Sequence, residues 1–187
     1  MSDNPIDTEL DLELDRVIHA PPAAVWRHWT TPDLFAQWWT PAPTITRVDR
    51  LEARPGGALV TRMSDDGVDF VPHMDAIFLV AEENSRLVFT NAVDSAWRPA
   101  LPAPVAMTAE ITLGDHPDGT AYRAVVRHGD PRDRARHEEL GFFEGWGAVP
   151  KHSPRSWRPT TRRPRGSPGA RSTGLGARWT GHGGGLA

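Results

Sequence analysis

His73 and Asp75 are the residues whose types and spacing come nearest to an acid–base pair. They stand two apart on a predicted strand, and residues two apart on a strand share a face. A histidine oriented by a carboxylate is a common general base. Polar residues at the end of a strand are also often simply solvated, and the sequence leaves both interpretations open. The two residues are therefore candidates for catalysis and for ligand contact.

Aromatic residues form a second group of candidates, for binding an apolar ligand. Trp26 and Trp29 repeat at helical spacing, which is typical of ordinary core packing. Trp39 stands outside that stripe and beside prolines, so we expect it at the mouth of a cavity. Phe142 and Trp146 lie four residues apart on a predicted helix near several glycines, where they would face the sheet and line the same cavity.

Four further residues could orient the polar group of a ligand. They are Asn91, Trp97, Arg98 and Arg123. Arg123 lies in a strand of alternating character, where a salt bridge across strands at the surface is the competing interpretation.

Several classes of chemistry lack the residues they need. The chain has no cysteine, which excludes disulfides, thiolate metal sites and cysteine nucleophiles. The segment His137-Glu138-Glu139-Leu140-Gly141 lacks the second histidine of the zinc-protease pattern. The sequence has no Gly-x-Ser-x-Gly elbow, and no glycine-rich phosphate loop follows a strand. We therefore predict no metal site, no cofactor and no nucleotide.

The elements that position these residues begin with one strand and two short helices. Leucines alternate with acidic residues over positions 10–15, the period of a strand with one buried face. Arg16 then takes an apolar position, and we expect a bulge or a twist there. Pro21-Pro22 and Thr31-Pro32-Asp33 are typical helix starts.

A sheet and a final helix are predicted to follow. From Ile45 to Val126 apolar, β-branched runs alternate with turn sequences such as Arg54-Pro55-Gly56-Gly57, which indicates consecutive hairpins and an antiparallel sheet. Asp130-Pro131 then starts a long helix that Pro150 ends. The apolar half of that helix needs the sheet as cover. The sequence thus predicts an α+β fold, one antiparallel sheet wrapped around a long C-terminal helix, with two short helices after the first strand.

Motifs that carry a family resemblance lie in order along residues 10–149. They are Arg16-Val17-Ile18-His19-Ala20-Pro21, Val25-Trp26, Thr31-Pro32, Trp38-Trp39, Arg54-Pro55-Gly56-Gly57, Arg86-Leu87-Val88-Phe89-Thr90, His137-Glu138-Glu139-Leu140-Gly141-Phe142 and Gly145-Trp146-Gly147. In this order they resemble the START-like (SRPBCC) superfamily with its helix-grip fold. The branch they resemble most is that of the bacterial activator-of-heat-shock-protein-ATPase homologues, also called polyketide cyclase-like. The resemblance implies a cavity between sheet and final helix for small hydrophobic molecules, and no shared catalytic set.

The last 38 residues differ from the rest in composition. Residues 150–187 hold eight basic residues and no acidic one, so residues 1–149 carry the other 13 basic residues against all 24 acids. Members of the branch continue the final helix, whereas here Gly, Pro and Arg follow Pro150. We predict a flexible N-terminus over 1–9, one domain over 10–149 and a disordered tail over 150–187, and we hypothesise a frameshift as the origin of the tail. Two distant tryptophans give the tail little for stacking, so we expect no nucleic acid partner.

The compartment is predicted from what the chain lacks. Its acidic start does not have the pattern of a signal peptide, and no run approaches the roughly 20 apolar residues of a membrane span. The absence of cysteine fits a reducing compartment. We expect a cytoplasmic protein without membrane contact.

Three functions remain open at the level of sequence. The first is a module that binds a small hydrophobic molecule for carriage, sequestration or sensing. The second is a cyclase- or hydrolase-like enzyme that uses the same cavity with His73 and Asp75. The third is a domain that regulates a chaperone ATPase, which rests on the name of the family branch alone.

Overall fold

The structure is a computed structural model that describes residues 5–102 and 104–146. Seven strands and four helices are found among these residues. In chain order they are β1 (Asp11–Ile18), α1 (Pro22–Thr30), α2 (Pro32–Phe35), β2 (Ile45–Leu51), β3 (Ala58–Ser64), β4 (Val71–Glu82), β5 (Arg86–Thr90), β6 (Thr108–His116), β7 (Gly119–Arg127), α3 (Pro131–Glu139) and α4 (Phe142–Trp146).

The strands form one antiparallel sheet in the order β1-β7-β6-β5-β4-β3-β2. Strands β2 to β7 pair with their chain neighbours, and β1 joins the sheet by pairing with β7. The turn between β2 and β3 has Gly56 at a φ of 75°, the left-handed position that a type II turn requires, and the Gly57 N–H donates to the Arg54 carbonyl at 2.8 Å. The predicted α+β fold, with two short helices after the first strand, is confirmed.

One face of the sheet, here the inner face, is buried against the helices. Trp29 of α1 is fully buried, with its ring centroid 6.1 Å from that of Phe89 on β5 and 6.3 Å from that of Trp146 on α4. Leu12 and Ile18 of β1 are also buried on this face. Each such side chain contributes about 1.5–3 kcal/mol by leaving water, so this face supplies most of the stability of the fold.

Of the bulge or twist predicted at Arg16, the bulge is wrong. Strand β1 pairs with β7 without a register shift, with Arg16 opposite Tyr122 and Val17 opposite Ala121. The inward alternation resumes at the buried Ile18, while Val17 is 40% exposed and faces outward. Arg16 therefore lies on the inner face as a single polar position, because an unbroken ladder keeps every backbone pair of β1.

The final helical region consists of two helices within the described residues. Asp130 caps α3 by accepting the Arg132 N–H at 2.6 Å, as the sequence predicts. Helix α3 ends at Glu139, and Gly141 has a φ of 90°, the left-handed conformation that commonly ends a helix. Helix α4 then starts at Phe142. The predicted continuation to Val149 and the tail 150–187 lie outside the described residues.

The other face of the sheet, here the outer face, carries charged pairs. Glu110 of β6 lies between Arg86 of β5 and Arg127 of β7, at 2.8 and 3.0 Å. None of the helices in the described ranges has both the length and the apolar character that a bilayer crossing demands.

Candidate functional site

A pocket of about 390 Å³ lies between the inner face, the segment after α2 and the α3–α4 region. Its walls are mainly aromatic and methionine side chains. The lining residues are Trp38, Trp39, Thr40, Pro41, Thr44, Met63, His73, Met74, Asn91, Pro104, Val105, Met107, His137, Leu140, Gly141, Phe142 and Trp146. A volume of this size falls within the range of small-molecule sites.

Two tryptophans that follow α2 form one side of the pocket. The Trp39 N–H donates to the Phe35 carbonyl at 3.2 Å, so the chain continues to turn after the helix and brings both indoles inward. The Trp38 Nε1–H donates to the His28 carbonyl at 3.2 Å. The Trp39 ring centroid lies 4.6 Å from that of Phe35. These contacts fix the aromatic wall, and Trp39 lines the pocket.

The pocket lining carries no formal charge. None of its residues, all within the described part of the chain, is Asp, Glu, Lys or Arg. Its titratable groups are His73 and His137, and burial lowers the pKa of both imidazoles, that of His137 to about 4. Both rings are therefore neutral at pH 7.

His73 reaches the pocket because β4 contains a bulge. Thr61 of β3 pairs with Met74 and Arg62 pairs with Pro72, so His73 is the extra residue without a partner in β3. The bulge turns His73 inward, and both His73 and Met74 line the pocket. The His73 Nδ1 lies 3.4 Å from the Thr61 hydroxyl, and its ring centroid lies 6.2 Å from that of Trp39.

The prediction that His73 and Asp75 share a face is wrong. The bulge breaks the alternation on which the prediction depended, and Asp75 lies among the exposed residues of β4. The Asp75 Oδ1 accepts the Ser95 N–H at 2.7 Å and so ties the loop after β5 to the sheet. Asp75 is not part of the pocket lining, so the acid–base pair does not form.

Asn91 lines the pocket, but its amide supports the wall. Its Nδ2 donates to the Val105 carbonyl at 3.1 Å, and its Oδ1 accepts the Met107 N–H at 2.8 Å. Asn91 is buried, so these bonds satisfy groups that would be costly to leave unpaired. The side chain predicted to orient a ligand therefore holds the segment before β6 in place.

Trp97, Arg98 and Arg123 do not line the pocket. Trp97 is 66% exposed, with a φ of 66°, and its ring occupies the space where a side chain at Gly56 would stand. Arg123 pairs on the outer face with Glu13, and its Nε lies 3.8 Å from Asp15. The surface salt bridge across strands is thus the correct interpretation for Arg123, and neither Trp97 nor Arg123 can contact a ligand in this pocket.

A second groove, of about 750 Å³, lies on the outer face and includes Arg123. It is larger than the inner pocket, yet the charges that line it largely satisfy one another. Glu110 bonds both Arg86 and Arg127 there. A groove of mutually paired charges on an open sheet face is typical of solvated surface, so the inner pocket is the better candidate site.

Phe142 and Trp146 line the pocket from α4, as the sequence predicts. The Trp146 ring stacks on Phe89 at 6.2 Å with 9° between the ring planes. Its indole Nε1–H donates to the Nε2 of His137 at 3.3 Å. The Nδ1 of His137 lies 2.9 Å from the Nε2 of His128, which follows β7.

Several residues of the site were missed at the level of sequence. His137 belongs to a family motif and fails a zinc pattern, but neither observation indicated that it lines the pocket, nine residues from Trp146. Met63, Met74 and Met107 also line it. A signal for the bulge was present, because Pro72 stands inside β4 and proline within a sheet is confined to edges, strand starts and bulges.

Comparison with known proteins agrees with this architecture. Residues 19–152 match the sequence model of the family described as Activator of Hsp90 ATPase homolog 1-like protein. Among curated proteins, none matches the chain. A crystal structure of a protein from Nitrosomonas europaea is 40% identical, with a TM-score of 0.69 over 78% of this chain and 92% of that one.

Two more distant structures share the fold. A solution structure of a protein from Arthrobacter aurescens is 19% identical, with a TM-score of 0.63 over 76% of this chain and 82% of that one. A solution structure of an AHSA1-like protein from Aeromonas hydrophila is 18% identical, with a TM-score of 0.54 over 77% of this chain and 98% of that one. The family match over more than half of the chain and the 40% identical structure show that the chain belongs to the Activator of Hsp90 ATPase homolog 1-like family.

Proposed function

We propose that the protein binds a small, uncharged, largely apolar molecule in the inner pocket, for carriage, sequestration or sensing. The observation that carries this proposal is the charge-free lining of aromatic and methionine side chains around about 390 Å³. A charged ligand would lose its hydration there without gaining a counter-charge, which is costly. An apolar ligand gains about 25 cal/mol for each Å² it removes from water.

His73 is the polar contact of this proposed site. It is neutral and half-buried, and its Nδ1 approaches the Thr61 hydroxyl, which leaves the Nε2 for a ligand. Asn91 has its amide engaged with backbone groups, and His137 bonds His128 and Trp146. A hydroxyl, amine or carbonyl on the ligand would therefore meet His73.

Titration of the full chain with N-phenyl-1-naphthylamine, an uncharged fluorescent probe, tests the proposal. We expect saturable binding that Met74→Trp weakens roughly tenfold or more, because the indole fills the pocket. Leu79→Trp is the matched control, since Leu79 is 45% exposed on the same strand and does not line the pocket. Equal binding by the two variants, or no saturable binding at all, would contradict the proposal.

A ligand of the host cell can be identified by native mass spectrometry of the protein purified from that host. His73→Phe should weaken a ligand with a hydrogen-bonding group by about fivefold, the value of one neutral hydrogen bond. The same variant should leave a purely apolar probe unaffected. Cytoplasmic location is part of this proposal, supported by the absence of cysteine.

The two other functions receive less support. An enzyme that depends on His73 and Asp75 lacks its pair, because the side chains lie on different faces. Regulation of a chaperone ATPase is suggested by the name of the family. Adding the full chain to purified Hsp90 and measuring the ATPase rate tests it directly, and an unchanged rate would remove it.

A further inference from the structure

Two histidines and a tryptophan connect the edge of the sheet to the pocket wall through three hydrogen bonds. The Nδ1 of His128 lies 2.9 Å from the Leu10 carbonyl oxygen, and its Nε2 lies 2.9 Å from the Nδ1 of His137. The Nε2 of His137 lies 3.3 Å from the Nε1 of Trp146. We call this sequence of bonds the histidine relay. It joins residues of the β1 and β7 region to α3 and then to α4.

The two ends of the relay fix where every hydrogen lies. A carbonyl oxygen can only accept, so the His128 Nδ1 must carry a hydrogen. An indole N–H can only donate, so the His137 Nε2 must be free of hydrogen. With both rings neutral, the His137 Nδ1–H then donates to the His128 Nε2. Each of the three hydrogen bonds then contains one hydrogen, and each imidazole is the Nδ1–H tautomer.

An added proton cannot be accommodated in this arrangement. Protonation of His137 places an Nε2–H against the indole N–H of Trp146. Protonation of His128 places an Nε2–H against the His137 Nδ1–H. If His137 then changes to its Nε2–H tautomer, this hydrogen faces the indole N–H of Trp146 instead. Whichever ring takes up the proton, two donors face each other across one gap. One of the three bonds must therefore break.

The broken bond would loosen the wall of the pocket. His137, Phe142 and Trp146 all line it, and the His137 ring contacts Phe142 edge-on at 5.4 Å. The relay ties α3 and α4 to the sheet at the side where the pocket is formed. We propose that the histidine relay is a proton-sensitive latch, closed while both rings are neutral and opened by protonation so that α3 and α4 move away from the pocket.

Charged groups around the relay do not neutralise the extra proton. Burial disfavours the charged form of His128 and lowers its pKa. It outweighs the Leu10 carbonyl, Asp133 of α3 and Asp11 of β1, which favour the charged form. Arg134 of α3 disfavours that form further. Burial also lowers the pKa of His137, and repulsion from His128 lowers it further, to about 4. Two ion pairs lie along the surface of α3, Arg134 with Glu138 and Arg136 with Glu139.

The size of the effect follows from linkage. A histidine with a pKa near 6.5 in the open state and about 4 in the closed state changes the open-to-closed ratio by about 20-fold between pH 7 and pH 5. The sign is towards opening in acid, because the open state binds the proton more readily. The latch itself is independent of the ligand, while its effect on affinity rests on the proposed binding function.

Nuclear magnetic resonance of the full chain tests the closed state. Long-range ¹H–¹⁵N correlations at pH 7.5 should show His128 and His137 both as Nδ1–H tautomers. An Nε2–H tautomer at either ring would overturn the relay as described.

Hydrogen exchange of the full chain tests the opening. The opening constant over residues 131–146, corrected for intrinsic rates, should rise by about 20-fold from pH 7 to pH 5, with little change in β5 and β6. His137→Phe should reduce the rise to roughly threefold or less, whereas His19→Gln, at an exposed histidine outside the relay, should keep it. Trp146→Phe provides a second test should His137→Phe not fold, because it removes the opposing donor. An undiminished rise in these variants, or an equal rise throughout the sheet, would overturn the latch.

Binding of N-phenyl-1-naphthylamine separates the latch from the proposed function. We expect weaker binding at pH 5 than at pH 7 in the unmodified protein, and the same affinity at both pH values in His137→Phe. If the affinity for the probe is the same at both pH values while the opening constant from hydrogen exchange rises, the link between latch and pocket would be overturned. No binding at either pH would reject the proposed function and that link with it, and the tautomer and exchange results would still decide the latch.

Discussion

Glu110 on the outer face offers a quantitative test of how charge supports the sheet. Its Oε1 lies 2.8 Å from the Arg86 Nε, and its Oε2 lies 3.0 Å from the Arg127 Nη1. The Glu110 side chain is 9% exposed. One carboxylate thus joins β5, β6 and β7, and the replacement Glu110→Gln keeps its shape while removing its charge.

The expected loss can be worked from this geometry. Without the carboxylate, the guanidinium groups of Arg86 and Arg127 face each other without a counter-charge, and the new amide directs a donor at one of them. Removing one partner of a fully buried pair costs about 3–5 kcal/mol. The arginine side chains are 26% and 24% exposed, so water screens part of the repulsion, and we expect a loss of about 2–3 kcal/mol. The melting temperature should then fall by roughly 5–10 °C.

Urea unfolding followed by tryptophan fluorescence measures this loss. Glu13→Gln is the matched control, because it breaks the exposed pair with Arg123 on the same face and should cost less than about 1 kcal/mol. Replacing Glu110, Arg86 and Arg127 together by methionine should recover most of the stability, since no charge is then left unpaired. A loss in Glu110→Gln no greater than that in Glu13→Gln would refute the reasoning.

Four further predictions concern the helices and the tail. Gly141→Ala should lower the free energy of unfolding by about 1–2 kcal/mol, because Gly141 has a left-handed φ. Gly129→Ala should not destabilise, because a methyl group there meets open space. Similar losses of unfolding free energy for the two variants in urea titrations would contradict this. Asp130→Ala should cost about 1 kcal/mol through the lost cap of α3 and Asp130→Asn much less, and equal costs would argue against capping. The melting temperature should decrease as the pH is lowered below about 6.5, because burial of His137 makes the folded state take up protons less readily than the unfolded state. A melting temperature that is constant from pH 7.5 to 4.5 would count against this. Ending the chain after Val149 should change the melting temperature by no more than about 2 °C, because residues 150–187 offer few apolar side chains to bury, and a larger fall in calorimetry would show that the tail belongs to the domain.

The fold was predictable because its signals are local. Leucine alternation specifies the buried face of β1, and Arg54-Pro55-Gly56-Gly57 specifies the turn before β3. Asp130 followed by proline specifies the start of α3. Each of these signals is read within a few residues, and the order of elements then leaves few ways to arrange one antiparallel sheet.

The site was only partly predictable because its determinants are distant in sequence. The inward turn of His73 depends on the pairing of β4 with β3, which alternation within β4 does not contain. The relay brings Leu10 within 2.9 Å of His128, 118 residues away along the chain. Trp39, Phe142 and Trp146 were found because aromatic residues at the ends of helices are visible in the sequence, whereas the placement of Asp75 and Arg123 needed the register of the sheet.

Two departures from regular secondary structure stand on the wall of the same pocket. The bulge at His73 gives up a paired position in the ladder, and the left-handed Gly141 interrupts a helix whose sequence could otherwise continue. Each departure costs stability, yet each brings a side chain to the cavity, His73 from the sheet and Phe142 from the start of α4. Irregularities that cost stability persist where the surroundings over-determine them, and they cluster at sites of function. Both lie on the wall of one pocket, beside the histidine relay that ties α3 and α4 to the sheet. This is a physical reason to seek the function of the protein in that cavity.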